Sequence, residues 1–196
     1  MEHYPDTTIV ASAKAFTIMK QFFGCDYAEH QLVVKEKDTL ELGKHTLTFV
    51  AAPMVHWPEV IMTYDSYAKV FFSADAFGKF GIVGKYGAQV QALLKKTAGL
   101  DIQTICPLHG PVLNENPDFY RNLYQTWSAY EPEDKGVLIA YTSVYGNTKK
   151  AAESLAQMLV DKGCEKVAIT DLARDDIAEA VEDAFRYSKL VVAAAS

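Results

Sequence analysis

The feature that most constrains this chain is the run Val137-Leu-Ile-Ala-Tyr141, followed at once by Thr142-Ser-Val-Tyr-Gly-Asn-Thr148. Five consecutive apolar residues leave no polar position to face water, so the segment reads as a strand buried on both faces. Such strands occur in parallel sheets covered by helices. An amphipathic pattern follows from Asn147 to Lys162, with Ala151, Ala152, Leu155, Met158 and Leu159 facing inward. Lys166 to Thr170 reads as a second strand, Asp175 to Tyr187 as a second helix and Leu190 to Ala194 as a third strand. This β-α-β-α-β order predicts an α/β unit with a parallel sheet and right-handed crossovers.

The earlier residues have a different texture. Ile9 to Ser12 reads as a strand, and Ser12 caps a helix through Phe23 whose inner face carries Ala15, Ile18, Met19 and Phe22. Strands are expected at Leu32 to Val34, Thr46 to Ala51, Val60 to Tyr64 and Val70 to Ser73, with turns at Asp38, Gly43 and Pro53. Gly84 to Thr97 reads as a helix, Ile102 to Cys106 as a strand and Pro117 to Tyr130 as a helix. The charged Glu131-Pro-Glu-Asp-Lys-Gly136 segment is the expected linker. The domains are therefore 1–131 and 132–196.

Composition narrows the function. A net charge of −6 gives no electrostatic footprint for nucleic acid. No apolar run is long enough to span a bilayer, and the first residues lack the basic and apolar regions of a secretory signal. Cys25, Cys106 and Cys164 are odd in number and widely spaced, which fits a reducing, cytoplasmic setting rather than a disulfide framework.

Two constellations carry chemistry. The Thr142 to Thr148 loop lies between a strand and a helix, where free backbone N–H groups and the helix dipole favour an anion. Hydroxyls from Thr142, Ser143 and Thr148 add donors, and Gly146 permits close backbone approach. The loop is neither GxxxxGK[ST] nor GxGxxG, which excludes an NTPase P-loop and the dinucleotide fingerprint. A polar strand-to-helix turn without a ligand is the plain alternative.

The second constellation is His56-Trp57-Pro58, Phe72-Ser-Ala-Asp75-Ala-Phe-Gly78 and Pro107-Leu-His109-Gly110. Each of His56, Asp75 and His109 follows a strand-like stretch beside Pro or Gly, in the kind of loop where sites are assembled. Imidazoles and a carboxylate suit iron, manganese or zinc. Taken singly, a loop histidine is more often a surface residue, and Asp75 can cap a turn. His3, His30 and His45 read as ordinary, Trp57 and Tyr64 as packing residues, and Cys106 as a small buried hydrophobe.

Taken in order, HWP, the TYD segment, FSADAFG, CPLHG, a helix and the YTSVYGNT loop resemble the flavodiiron (A-type flavoprotein) family over nearly the whole chain. The resemblance implies the later half of a metallo-β-lactamase-like αββα sandwich, joined to the first half of a flavodoxin-like doubly wound sheet. It implies an oxidoreductase that passes electrons from FMN to a non-haem diiron centre, reducing dioxygen to water, nitric oxide to nitrous oxide, or both. His56 would bind one iron and His109 the other, with Asp75 bridging. Thr142, Ser143, Val144, Tyr145, Gly146, Asn147 and Thr148 would cradle the FMN phosphate, and no catalytic residue is implied beyond the metal ligands. A rubredoxin-like or other reductase would donate electrons, and a second copy or a complementing chain would complete the assembly. The family's HxExDH ligand motif does not occur among these 196 residues. The alternative to the oxidoreductase is an FMN-binding electron-transfer module or an inactive remnant without a metal site. It also predicts an open apolar sheet face in the first domain, an exposed third strand in the second, and a chain that is marginally folded or oligomeric on its own.

Overall fold

The computed structural model describes residues 3–78 and 80–195. The chain divides into two compact units, Met1–Ser128 and Ala129–Ser196.

In the first unit, β1 (Ile9–Ala11) leads through Ser12 into α1 (Ala13–Phe23). The Ser12 hydroxyl accepts from the Ala15 amide as an N-cap, and Gly24, at φ 71°, closes the helix in the left-handed region. The buried face of α1 is centred on Phe16; Phe22, expected inside, stands 81% exposed against Phe23. β1 pairs in parallel with β2 (Gln31–Val33). A five-stranded sheet follows, ordered β3 (Thr39–Leu42), β4 (His45–Ala51), β5 (Ile61–Asp65), β6 (Val70–Phe72) and β7 (Thr104–Cys106). The Asp38 and Gly43 turn signals bracket β3, a strand not foreseen from the sequence.

The period-2 alternation of these strands decides where the core sits. Val50, Met62, Tyr64, Phe71 and Ile105 lie in register on one face. They pack with Val90, Leu93 and Leu94 of α3 (Gly87–Thr97) and Tyr124 of α4 (Pro117–Ser128). The opposite face carries Leu47, Phe49, Ile61, Val70 and Phe72; Phe49 is buried, Leu47, Ile61 and Val70 are half-buried and Phe72 is exposed, so this face is covered only in part. That partly open face is what half of a two-sheet sandwich leaves. The helix expected from Gly84 is two helices, α2 (Phe80–Lys85) and α3, broken at Tyr86, whose φ −122° and ψ 35° leave the helical region.

The first strand of the second unit starts inside the expected linker rather than at Val137: β8 runs from Asp134 to Tyr141. Asp134 pairs with Lys166 and Arg186, which recruits the linker's last residues into the sheet. α5 (Asn147–Asp161), β9 (Val167–Asp171), α6 (Ile177–Arg186) and β10 (Tyr187–Ala193) complete the predicted order. The strands are parallel and ordered β10-β8-β9, with the first strand in the centre. Ala152, Leu155 and Leu159 of α5 pack on Val137, Ile139 and Tyr141, while Ala151 and Met158 face outward, contrary to expectation. β10 is an edge strand, and its Leu190 and Val192 are exposed, as expected for a doubly wound sheet represented by three strands.

Candidate metal centre and phosphate loop

Strand direction explains why three distant residues meet. β4 and β6 are each antiparallel to β5, and β7 is parallel to β6. β4, β6 and β7 therefore run the same way and end at the same edge of the sheet. His56, Asp75 and His109 sit in the loops that follow those three strands.

The Asp75 loop is held tightly. The buried Ser73 hydroxyl donates to the Ala76 carbonyl at 2.8 Å, and the Ala76 amide donates back to the Ser73 carbonyl at 3.0 Å. The Phe77 ring stacks on Tyr124 of α4 at 4.3 Å between centroids. Ala74 and Phe77 both have positive φ, at 49° and 65°. Such strain in residues other than glycine persists only where surrounding structure enforces it, and it concentrates at functional sites.

The result is a buried carboxylate between two imidazoles. His56 Nε2 lies 3.1 Å from Asp75 Oδ2, and His109 Nε2 lies 3.1 Å from Asp75 Oδ1. Oδ1 is buried and makes no hydrogen bond of acceptable geometry, although His109 Nε2 is close. A buried carboxylate oxygen without a partner is costly, and a cation shared with the imidazole removes that cost. Asp75 thus offers one oxygen to each of two positions, each faced by one histidine. Among the described residues, no group of three or more His, Cys, Asp or Glu side chains gathers around one position. The donors at hand are one carboxylate oxygen and one imidazole nitrogen on each side of Asp75, a set whose chemistry suits a divalent transition metal.

The structure also brings in residues that the sequence did not single out. Gly78 and Gly110, which the sequence showed only beside candidate ligands, lie against one another where the Asp75 and His109 loops meet. Their only signal was position, each close beside a candidate ligand. Cys106 is half-buried at the end of β7, and its carbonyl accepts from the Ser73 amide at 3.1 Å. Trp57 is more than half exposed beside His56, not the packing residue expected, whereas Tyr64 is buried as expected. His45 is less ordinary than its sequence context indicated: its Nδ1 lies 2.6 Å from Asp65 Oδ2.

In the second unit, the Thr142 to Thr148 loop joins β8 to α5. Thr142 is tied to β10 by its amide, which donates to the Ala193 carbonyl at 2.9 Å. Gly146 occupies the N-cap of α5 at φ 85° and has no side chain with which to cap the helix. A methyl group at Gly146 would meet no atom within 4 Å, so the space above it is open. The first turn of α5 carries Lys149 and no acidic residue, so an anion at this end is favoured by the dipole and is not repelled by a carboxylate. Val144 and Tyr145 are exposed at the loop tip.

Residues 1–87 match the family described as ODP family beta lactamase. The chain is 30% identical to the nitric oxide reductase of Moorella thermoacetica, covering 94% of this chain and 53% of that protein. The flavodiiron protein of Giardia intestinalis superposes with a TM-score of 0.80 at 26% identity, over 91% of this chain and 50% of that one. The chain is similar in sequence and fold to flavodiiron proteins. The rubredoxin oxygen:oxidoreductase of Desulfovibrio gigas shares the fold, with a TM-score of 0.81 at 24% identity over 94% of this chain and 53% of that one. Flavodiiron relatives therefore match both units, and the chain spans about half the length of those it matches.

Proposed function

We propose that the chain is the diiron- and FMN-holding middle of a flavodiiron oxidoreductase. In this reading residues 1–131 form the later part of the metallo-β-lactamase-like domain and residues 132–196 the first part of the flavodoxin-like domain. The observation that carries it is the Asp75 carboxylate, with an imidazole Nε2 3.1 Å from each of its two oxygens.

His56 and His109 would each hold one iron, and Asp75, with one oxygen beside each histidine, would be shared between them. The remaining ligands come from outside these 196 residues. The Ser143 hydroxyl and the first-turn amides of α5 would hold the FMN phosphate, with Thr142, Val144, Tyr145, Gly146, Asn147 and Thr148 shaping the loop. When bound, FMN and the iron pair together supply electrons and open coordination positions for reducing a small gas molecule. The names of the relatives support dioxygen and nitric oxide as that gas, and rubredoxin as an electron donor. A second copy or a complementing chain completes the site. No helix among the described residues is long and apolar enough to cross a membrane, and the odd, unpaired cysteines favour the cytoplasm.

A second reading is an FMN-binding electron-transfer module without a metal. It is favoured by the absence, among the described residues, of any three-ligand group around one position. Iron and flavin quantitation separates the two after anaerobic incubation with ferrous iron and FMN. Near two irons and one FMN per chain, with iron lost in Asp75→Ala, supports the oxidoreductase; flavin without iron supports the module.

A further inference from the structure

Gly78 lies three residues past Asp75, and its φ is not in the left-handed region, so conformational freedom does not explain why a glycine stands there. Space does. A methyl group at Gly78 would overlap the His109 carbonyl oxygen, stand 2.8 Å from the His109 carbonyl carbon and 3.0 Å from Pro107 Cβ. The obstacle is backbone, which cannot swing aside as a flexible side chain does.

Nor can the two loops easily part. The Leu108 amide donates to the Ala74 carbonyl at 2.7 Å, and the Ser73 amide donates to the Cys106 carbonyl at 3.1 Å. β6 and β7 hold the same two segments in register just upstream, with Val70 opposite Thr104, Phe71 opposite Ile105 and Phe72 opposite Cys106. Gly110, at φ 95°, takes up the other side of the contact; a methyl there would reach 3.4 Å from Gly78 Cα.

We infer that Gly78 is a positioning residue: its bare backbone lets the Asp75 loop seat against the main chain of His109, and that contact sets the distance between Asp75 Oδ1 and His109 Nε2. The inference builds on the reading of Asp75 and His109 as ligands, but the contact it describes exists without metal. Gly78→Ala forces the loops apart and separates His109 from the carboxylate, while His56, on a third loop, keeps its place against Oδ2.

The test is nuclear magnetic resonance of the metal-free chain with nitrogen-15-labelled histidine, at one fixed pH, with and without Asp75→Asn. In the otherwise natural chain, Asp75→Asn shifts the ring nitrogens of both His56 and His109. In a Gly78→Ala background, the inference expects the His109 response to vanish and the His56 response to persist. Gly43→Ala, at another glycine of the first unit with φ 65° and open space around it, lowers stability but leaves both responses intact. Should Gly78→Ala unfold the unit, Gly110→Ala presses on the same contact from the other side at 3.4 Å, with the added backbone strain of a side chain at φ 95° that Gly43→Ala controls for, and is expected to weaken the His109 response alone. An undiminished His109 response in a folded Gly78→Ala or Gly110→Ala chain overturns the inference. Because no metal is added, this result stands apart from whether the pair binds iron.

Discussion

The Gly146 amide donates a hydrogen bond to the Ser143 hydroxyl oxygen at 3.0 Å, closing the turn that begins α5. A hydroxyl that accepts one bond still has its own hydrogen to give. Ser143 therefore shapes the loop and keeps one donor for a phosphate.

Ser143→Ala removes both roles. One hydrogen bond is worth about 1 kcal/mol net, so the Kd for FMN is expected to rise about fivefold. Isothermal titration with FMN and with riboflavin checks the assignment. The substitution weakens FMN binding and leaves the weaker riboflavin binding unchanged, because riboflavin has no phosphate to lose.

Acid sensitivity follows from three aspartates. Burial pushes the Asp65 carboxyl up, but the bonds from His45, Ala68 and Tyr67 outweigh it and leave its pKa below the ordinary 3.8. Lys166 and Arg186 lower Asp134. At Asp171, burial again opposes, and Arg174 with the Ala173 amide prevails. In each case the unfolded chain takes up a proton at higher pH than the folded one. The stability these groups contribute is present above about pH 4 and is lost as pH falls through their folded values. Thermal melts between pH 7 and pH 3 should show a steep loss of Tm below about pH 4. Asp134→Asn should reduce the part of that loss that belongs to the second unit.

The first unit depends mainly on the sheet face that packs against α3 and α4. Phe71 is 1% exposed at the centre of the packed sheet face. Phe71→Ala is expected to cost about 3–5 kcal/mol, measured by urea denaturation of the first unit. Phe72→Ala, one residue along and 48% exposed on the open face, should cost much less. Equal costs would mean that the open face is covered in solution.

Much of the second unit was legible because a continuous apolar strand and a helical stripe are local signals. Val137 to Tyr141 announces a parallel sheet wherever it occurs. The misplaced residues there, Ala151 and Met158, lie at the margins of the stripe, where a shift of one position turns a side chain outward. In the first unit, β3 was hidden because Thr39–Leu42 is only four residues between two turn signals. Phe22 was misread because an apolar side chain at helical spacing does not reveal whether anything lies opposite it. His56, Asp75 and His109 were legible as residue types in strand-end loops. Their convergence was not, because it depends on β4, β6 and β7 running the same way, which pairing across distant residues decides. Gly78 was invisible for the same reason: its obstacle is the main chain of a residue on another loop.

Asp75 as the bridge between two metal positions can be checked in a crystal. The most direct measurement is an anomalous difference map at the iron edge from crystals of the chain grown anaerobically with ferrous iron and FMN. Two peaks are expected flanking Asp75, one beside His56 Nε2 and one beside His109 Nε2. A map with no iron at Asp75, or with a single iron that His56 and His109 both bind, would contradict it.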